Sequence, residues 1–545
     1  MGEHWFSTLL TLVYFAILGV VALYGFHRYV LVYLYIKHRH VRHTPTAHYS
    51  DPELPAITVQ LPMFNEDAVA ERVIDATCRI DYPREKLQIQ VLDDSTDADA
   101  AEIARKSCDA WREKGIDIQY LHRNNRDGFK AGALQEGLKS ASGEYVAIFD
   151  ADFIPPADIL RNVVDHFSDP KIGMVQVRWD HLNRDASLLT KSQAIFLDGH
   201  FVIEHTARNR SGRFMHFNGT AGVWRRTTIA EAGGWQHDTL TEDLDLSYRA
   251  QLKGWQFVYL PQHVAPAELP PEMVSFKQQA HRWTKGSMQT AIKLLPRIMN
   301  SKLPWSIKSE AFFHLTCTVV YPLMVMMTLL MYPTFIINQQ MKINATPMVE
   351  PLVKLSKVTP EQWHGPSLNN WVFGFSLFVL ATCSASTFFI YAQKELFGRR
   401  EGWKTLLHLP FIMALGVGVC INNTKAVIEA IISMIQRKPA EFVRTPKYGV
   451  TGKQRSRVLR EAPKFNYSKL ALPIVEVAFG LYMTCFIVIS VRYNAALTSI
   501  PFLMIFAGGY FYVGFSTLAV LYQRHQEAVA AASAPVEVIE EPVAA

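Results

Sequence analysis

Two short stretches of this 545-residue chain carry residue types suited to transferring a group onto a hydroxyl. The first is Thr241-Glu242-Asp243, whose paired carboxylates could supply a general base. The second is 279–283, which reads Gln-Ala-His-Arg-Trp. Its amide and guanidinium could stabilise a diphosphate leaving group, and its indole offers a flat surface on which a sugar can stack. Together these side chains favour transfer of a sugar from a diphosphate donor.

Each stretch also has a purely structural explanation. Thr241 could cap the N-terminus of a helix whose first turn holds the two acids. Gln279, Arg282 and Trp283 share one face of a helix because they are spaced i, i+3 and i+4. An amphipathic helix at a membrane interface, with a snorkelling arginine and an anchoring tryptophan, gives the same pattern. The residues alone leave both explanations open.

Short β-branched runs alternate with helical stretches from residue 55 onward. This alternation predicts an α/β domain with a mostly parallel sheet and buried strands. Ligands of such sheets bind at the carboxyl ends of the strands. The predicted strands are 57–61, 87–92, 118–121 and 145–149, and the predicted helices are 66–79, 98–114 and 130–140.

Polar side chains directly follow three of these strands: Asn65-Glu66, Asp93-Asp94, and Asp150 with Asp152. The two carboxylates of the last pair suit Mg²⁺ or Mn²⁺ bridging phosphate oxygens, although a solvated acidic turn gives the same pattern. The middle pair could bind a nucleobase or ribose, or form a helix cap or Asx turn. Their shared place at the strand ends predicts a nucleotide site.

Lys130 stands at the start of a predicted helix, where an ammonium group and free backbone N–H groups could meet phosphate. A surface lysine is the alternative. The sequence contains neither a GxGxxG fingerprint nor a GxxxxGK[ST] loop. These absences weigh against a dinucleotide oxidoreductase and against a P-loop NTPase.

The N-terminal residues 1–36 are mostly apolar and predict a membrane anchor. A cleaved signal peptide fits poorly, because there is no basic region before the apolar run and no cleavage site after it. The basic residues that follow place the next segment in the cytoplasm by the positive-inside rule. Residues 37–54 are predicted to be a basic linker, and 55–300 a cytosolic catalytic domain.

Residues 301–522 are predicted to form transmembrane and interface helices, with a cytosolic basic loop at 437–469 and a disordered tail at 523–545. The apolar run 406–435 is interrupted by polar residues, and the basic loop after it favours no net crossing. Glu476 lies inside a predicted span, where it could line a polar path or pair with a neighbouring helix. The predicted spans are 311–337, 371–392, 470–491 and 497–522.

Charge and cysteine content exclude other classes. The net charge is +6, and the basic clusters lie beside apolar spans, which favours membrane topology over nucleic-acid binding. The six cysteines include no CxxC pair, so neither a disulfide framework nor a zinc site is predicted.

Taken together, the ordered motifs resemble those of the inverting family 2 glycosyltransferases with a GT-A fold. The resemblance is to the processive, membrane-integrated branch, which includes cellulose synthases, hyaluronan synthases and the plant cellulose-synthase-like A and C proteins. It covers residues 55–290 by sequence and the rest by architecture. The runs that resemble plant mannan and xyloglucan-backbone synthases are 217–225, 231–235, 241–246 and 253–255.

The resemblance implies a role for each motif residue. Asp243 would be the general base, and Asp150 and Asp152 would hold Mg²⁺ or Mn²⁺. The 442–447 run resembles a gating loop whose FxVT pattern is altered here. The implied donor-binding residues are Asn65, Glu66, Asp93, Asp94, Lys130, Asp150, Gln279 and Arg282, and the implied acceptor-binding residues are Trp283, Glu242, Phe217 and Asn218.

The function expected from this resemblance is inverting transfer of a hexose from UDP-glucose or GDP-mannose to a growing β-linked polysaccharide, coupled to export. The alternatives are a non-processive glycolipid synthase and, outside enzymes, a transporter or scaffold with a relict domain. The expected partners are a nucleotide sugar, a glycan or glycolipid acceptor and a lipid bilayer, with no nucleic acid. The expected location is a multi-pass membrane protein, and the oligomeric state is left open.

Overall fold

The computed structural model of the protein describes residues 2–340, 368–436, 444–447, 449, 467–492 and 499–533. Within these residues, an α/β region carries a single seven-stranded sheet, and long apolar helices pack beside it.

The sheet has the strand order β3-β2-β1-β4-β6-β5-β7. Its first four strands in this order pair in parallel, β6 runs antiparallel to β4 and β5, and β5 pairs in parallel with β7. The predicted mostly parallel sheet is therefore confirmed. The strands are β1 (Ile57–Met63), β2 (Leu87–Asp93), β3 (Ile118–His122), β4 (Tyr145–Ile148), β5 (Ile172–His181), β6 (Gly222–Arg225) and β7 (Gln256–Ala267).

Strand register explains why the acidic motifs meet. Met63 lies opposite Asp93, and Gln60 lies opposite Ile148, so β1, β2 and β4 end at one edge. Every residue of β2 and β4 is buried, as expected for strands covered on both faces. Residues just past these ends therefore project into the same space.

Helices cover both faces of the sheet. The helix predicted over 66–79 begins only at Ala70, because Asn65 adopts a positive φ of 52° and the Glu66 carbonyl closes a turn onto the Val69 and Ala70 amides. The helices of this region are α2 (Ala70–Cys78), α3 (Ala98–Arg112), α4 (Phe129–Ser140), α5 (Ile159–Val164), α6 (Leu188–Asp198), α7 (Thr206–Arg210), α8 (Arg226–Glu231), α9 (Glu242–Leu252) and α10 (Met273–Met299).

Five helical stretches among the described residues are long and apolar enough to cross a membrane. They are Thr8–His38, Trp305–Thr334, Arg399–Gln436, Ala471–Arg492 and Ile500–Glu527. The helices outside the α/β region are α1 (Gly2–His38), α11 (Trp305–Thr316), α12 (Val320–Gln340), α13 (Leu368–Phe397), α14 (Arg399–Gly418), α15 (Cys420–Gln436), α16 (Ala471–Arg492) and α17 (Ile500–Ser533).

Two predicted spans are divided in the structure. The span predicted over 311–337 consists of α11 and α12, which are joined by a 3-10 turn at Cys317–Val319. The apolar run 406–435 consists of α14 and α15, which meet at Val419. Whether this run crosses the membrane stays a prediction. The span predicted over 371–392 lies within α13.

The tail predicted to be disordered from residue 523 is helical as far as Ser533, since α17 continues and Arg524 pairs with Glu272 at 2.8 Å. Residues 534–545 and most of the 437–469 loop lie outside the described residues. All six cysteines are free thiols.

Candidate active site

Most of the predicted site residues line one cleft at the carboxyl edge of the sheet. The cleft lies between the strand ends, the start of α9 and one face of α10. The predicted residues that line it are Glu66, Asp94, Lys130, Asp150, Asp152, Asn218, Glu242, Asp243, Gln279, Arg282 and Trp283.

Three predicted residues do not line this cleft. Asp93 is fully buried, where its carboxylate accepts hydrogen bonds from the Tyr120 hydroxyl at 2.6 Å and the Ser95 amide at 3.0 Å. Asn65 accepts from the backbone amides of residues 96 and 97, so it shapes a turn. Phe217 is fully buried in the apolar core. Each side chain is oriented by local contacts that its place in the sequence does not reveal.

Thr241 precedes α9, but its side chain makes no capping hydrogen bond. Its hydroxyl instead lies 3.2 Å from that of Thr290 on α10. A Cβ added to Gly286 would lie 2.5 Å from the Thr241 Cγ2 atom and 2.8 Å from its amide nitrogen. The close approach of α10 to this turn therefore requires glycine at 286, and the simple capping explanation is wrong.

Asp243 has the electrostatic setting of a base. Burial, and then the neighbouring Glu242 carboxylate, raise its pKa to about 7. Its Oδ1 atom accepts from the Leu244 amide at 2.8 Å. A general base works best when its pKa lies near the working pH. Burial also raises the pKa of Glu242.

Lys130 is held inside the cleft, so the surface-lysine alternative is wrong. Its ammonium group donates to the Asp150 carboxylate and, at 2.9 Å, to the Gly219 carbonyl. Burial by itself would lower its pKa, but Asp150, and then Glu242, outweigh burial and raise it. The positively charged Lys130 side chain therefore interacts with both Asp150 and Glu242 in the cleft.

Two basic residues from beyond α15 reach the cleft, and no motif search on the α/β region identifies them. Lys447 donates to Asp152 at 2.5 Å, and Arg444 makes a two-pronged contact with Glu66 at 2.8 and 3.1 Å. The only sequence signal for them is the likeness of 442–447 to a gating loop, of which 444–447 are described.

Two arginines of the α/β region, Arg123 and Arg126, also lie near the cleft without having been predicted there. Arg123 makes a bidentate contact with Asp94, at 2.7 and 2.5 Å. Arg126 lines the cleft with its guanidinium 3.3 Å from the centre of the Phe64 ring. Its pKa is lowered by burial. Both guanidinium groups are partly buried near Asp94, and the position of these arginines in a loop gives no sign of that placement.

Helix α10 contacts the cleft on one side and neighbouring helices on others. Gln279, Arg282 and Trp283 line the cleft, as their spacing predicts. On other sides of the helix, Lys277 donates to Glu476 of α16 at 2.6 Å, and Lys285 donates to Glu429 of α15 at 3.1 Å. Helix α10 therefore lines the cleft on one side and pairs with α15 and α16 on others, so Glu476 pairs with a neighbouring helix, while the roles of the cleft residues stay predictions.

The residues of the cleft fit a divalent cation. Asp150 and Asp152 offer carboxylate oxygens, which Mg²⁺ and Mn²⁺ prefer. Among the described residues, the Asp152 Oδ1 atom is buried without a hydrogen-bond partner. A buried, unpaired acceptor oxygen is costly, and a cation would satisfy it.

The cleft therefore combines the carboxyl edge of a mostly parallel sheet, which carries acidic side chains, with a helix face that carries Gln279, Arg282 and Trp283. Residues 55–286 match the family model described as "Glycosyltransferase like family 2", so this region is similar to that family. The predicted fold class, a mostly parallel α/β domain with long apolar helices, is confirmed.

The chain is similar to plant enzymes named glucomannan 4-beta-mannosyltransferase. It is 46% identical over 263 residues to number 1 of Oryza sativa subsp. japonica, which is 46% of this chain and 50% of the rice protein. It is 43% identical over 282 residues to number 2 of Arabidopsis thaliana, which is 50% of this chain and 53% of that protein. The chain thus matches about half the length of these relatives.

Among solved structures, the fold is similar to a mannosyltransferase of Pyrobaculum calidifontis in complex with GDP-Man and Mn²⁺. The TM-score is 0.44 at 20% identity, over 67% of this chain and 98% of that one.

Proposed function

We propose that this protein transfers mannose from GDP-mannose to the end of a β-linked glycan, with inversion at the anomeric carbon. The observation that carries the proposal is the 46% identity to an enzyme named glucomannan 4-beta-mannosyltransferase. The convergence of Asp243, Gln279, Arg282 and Trp283 in one cleft supports it. The name of the relatives also implies glucose in the product, so a glucosyl donor is the natural comparison.

The proposed reaction is a single displacement. Asp243 takes the proton from an acceptor hydroxyl, and the hydroxyl oxygen bonds to the anomeric carbon as the bond to the diphosphate breaks. Attack from the face opposite the leaving group turns an α-linked donor into a β-linkage. The diphosphate leaves with the bonding electron pair, and Gln279 and Arg282 stabilise its charge.

In this proposal Asp150 and Asp152 hold Mg²⁺ or Mn²⁺, which would supply positive charge to the diphosphate when bound. Lys130 adds a second positive charge beside them. Trp283 is 37% exposed at the cleft, which leaves its face available for an acceptor sugar. Its ring would fix the sugar by stacking, so that only the terminal hydroxyl reaches Asp243.

The helices beside the cleft support a membrane setting for this reaction. Five of the described helical stretches could cross a bilayer, and α10 joins the cleft to α15 and α16 through ion pairs. We infer that the protein is multi-pass, that the α/β region lies on the cytosolic side, and that the product leaves through the helices.

The test uses full-length protein in lipid nanodiscs with labelled GDP-mannose, GDP-glucose or UDP-glucose, and with Mg²⁺ or Mn²⁺. A polymer that endo-β-mannanase degrades is the expected product with GDP-mannose, and the Asp243→Asn variant is the matched inactive control. A chloroform-soluble product would establish the glycolipid alternative instead. Polymer from UDP-glucose alone would refute the donor assignment.

A further inference from the structure

The helix leading to the cleft is interrupted by a π-helical turn. Residues Gly199–His205 form this turn between α6 and α7. π-Helical turns are rare and often occur at functional sites. Because a π-helix bonds residue i to residue i+5, the turn places His200 against His205, with ring centres 4.4 Å apart. An uninterrupted α-helix would put these two rings on different faces.

Three histidines surround the amide of Asn218. Its Nδ2 atom lies 3.0 Å from Nε2 of His200 and 3.1 Å from Nε2 of His216, and its Oδ1 atom lies 2.5 Å from Nε2 of His205. His200 Nδ1 lies 2.9 Å from the Glu204 carboxylate, and the neutral tautomer that donates there leaves Nε2 to accept. The amide therefore donates both N–H groups, to His200 and His216, and accepts from His205.

This arrangement needs neutral imidazoles. Burial, followed by the neighbouring histidines, holds the pKa of His205 and His216 well below the usual range. The other polar groups facing the cluster are Glu204 and Arg208 on the same helix, Tyr248, Tyr259 and His314. Asn218 is thus locked in one orientation with its amide hydrogens fully used.

From the histidines, a chain of polar contacts leads to the apolar helices. Arg208 donates to Glu204 at 3.2 Å and to Glu310 of α11 at 2.9 Å. Glu310 in turn lies 2.9 Å from the ring nitrogen of His27 on α1. Arg208, Glu310 and His27 are all at most 9% exposed. Such a chain fixes α1 and α11 relative to Asn218.

At its other end the chain reaches the catalytic residues. Asn218 adjoins Gly219, whose carbonyl accepts from Lys130 at 2.9 Å. A Cβ on Gly219 would lie 3.0 Å from the Asp243 Oδ2 atom. Any movement of the 218–219 turn therefore moves the Gly219 carbonyl that accepts from Lys130, together with the Gly219 backbone that lies against the Asp243 carboxylate.

We propose that His200, His205 and His216 are positioning residues that fix the orientation of Asn218. Contacts through Glu204, Arg208 and Glu310 link these histidines to α1. Helix α1 thereby sets the position of the 218–219 turn. This proposal rests on the transfer reaction proposed above. A bound metal is the competing explanation, since the three imidazole nitrogens lie within 4.8 Å of one another. We favour positioning because the Asn218 amide already engages all three.

The test compares His200→Gln with His200→Leu in full-length protein in nanodiscs. Glutamine can accept from Asn218 and donate to Glu204, whereas leucine keeps only volume. We expect His200→Leu to lower kcat by roughly tenfold to hundredfold with little change in donor KM, because small displacements of reacting groups have effects of this size. His200→Gln should restore most of the rate, and His27→Leu should lower kcat roughly threefold or more. The buried His166, outside this network, gives the control His166→Ala.

A second measurement does not depend on the sugar. Hydrogen–deuterium exchange of the 215–222 peptide should be faster in His200→Leu and His27→Leu than in His166→Ala. If no donor is used by the wild-type protein, the proposed function fails while exchange still tests positioning. Equal kcat in the glutamine and leucine variants, or unchanged exchange, would overturn the proposal. So would a stoichiometric transition metal, measured by mass spectrometry, that His205→Ala removes.

Discussion

The acidic groups of the cleft fall into two sets with opposite electrostatic surroundings. At the strand ends each carboxylate already faces a cation, as Asp150 faces Lys130 and Asp152 faces Lys447. At the start of α9, Glu242 and Asp243 form no ion pair within the described residues, and burial raises the pKa of both.

In the proposed reaction, this contrast distinguishes the carboxylates that would hold a metal ion from the carboxylate that would act as the base. The strand-end carboxylates already contact cationic groups, a setting that suits ligands of a metal ion. A buried carboxylate beside another acid binds a proton near neutral pH, as a base must. Groups of one chemical type thus acquire different roles from burial and from the distance to a cation.

The largest effect on activity is expected from substitution in the pair at the start of α9, Glu242 and Asp243. Asp243→Asn should lower kcat by about 10²- to 10⁴-fold, because general-base catalysis contributes this much. The donor KM should stay near the wild-type value, since the strand-end set is intact. Steady-state kinetics with labelled donor measures both constants. A wild-type kcat in Asp243→Asn would show that Asp243 is not the base, and the two sets of carboxylates would then have no demonstrated difference in role.

In the paired set, Asp152→Asn should act through the metal. We expect the Mn²⁺ or Mg²⁺ concentration for half-maximal activity to rise by roughly tenfold to hundredfold, since even outer-shell changes at metal sites cost this much. Activity should partly recover at high metal concentration. Titration of activity against metal tests this, with Asp243→Asn as the variant that metal should not rescue.

The contact that packs α10 against the start of α9, beside Glu242 and Asp243, comes next in size. Gly286→Ala would force α10 away from the Thr241 backbone, so we expect a stability loss of about 1–3 kcal/mol, as in other overpacked sites, and a lower kcat. Thermal unfolding and kinetics measure these effects. Gly416→Ala is the matched control, because a Cβ there meets nothing within 4 Å. Equal effects of the two substitutions would contradict the proposed contact.

The smallest effect is a shift in pH dependence. Asp243 must be ionised to act as a base, so kcat/KM should fall as the pH drops below about 7, the pKa of this group. Glu242→Gln removes a negative charge that disfavours ionisation of Asp243, so its pKa should fall and the acid limb should move to lower pH. Profiles normalised to their maxima provide the test, and a shift to higher pH would exclude this coupling.

Sequence periodicity was enough to predict much of the fold. The alternation of short apolar runs with helical stretches gave the parallel part of the sheet, because strand and helix periods are local properties. It also placed Asp150 and Asp152 at a strand end. The start of α2 was missed, since the positive φ of Asn65 depends on contacts with residues 95–97.

The spacing of Gln279, Arg282 and Trp283 determined in advance that they share one helix face, because helical geometry fixes i, i+3 and i+4 neighbours. The chain by itself also determined that acids follow three buried strands. These are short-range properties that hold wherever the segments lie.

Only the tertiary structure decided which acids have cations. Lys447 is 295 residues from Asp152 in the chain, and Arg444 is 378 residues from Glu66. The π-helical turn beside Asn218 likewise depends on packing, since nothing in the local pattern predicts a change of helical period. Burial and long-range pairing set the electrostatic surroundings of each carboxylate, and both exist only once distant segments are folded together.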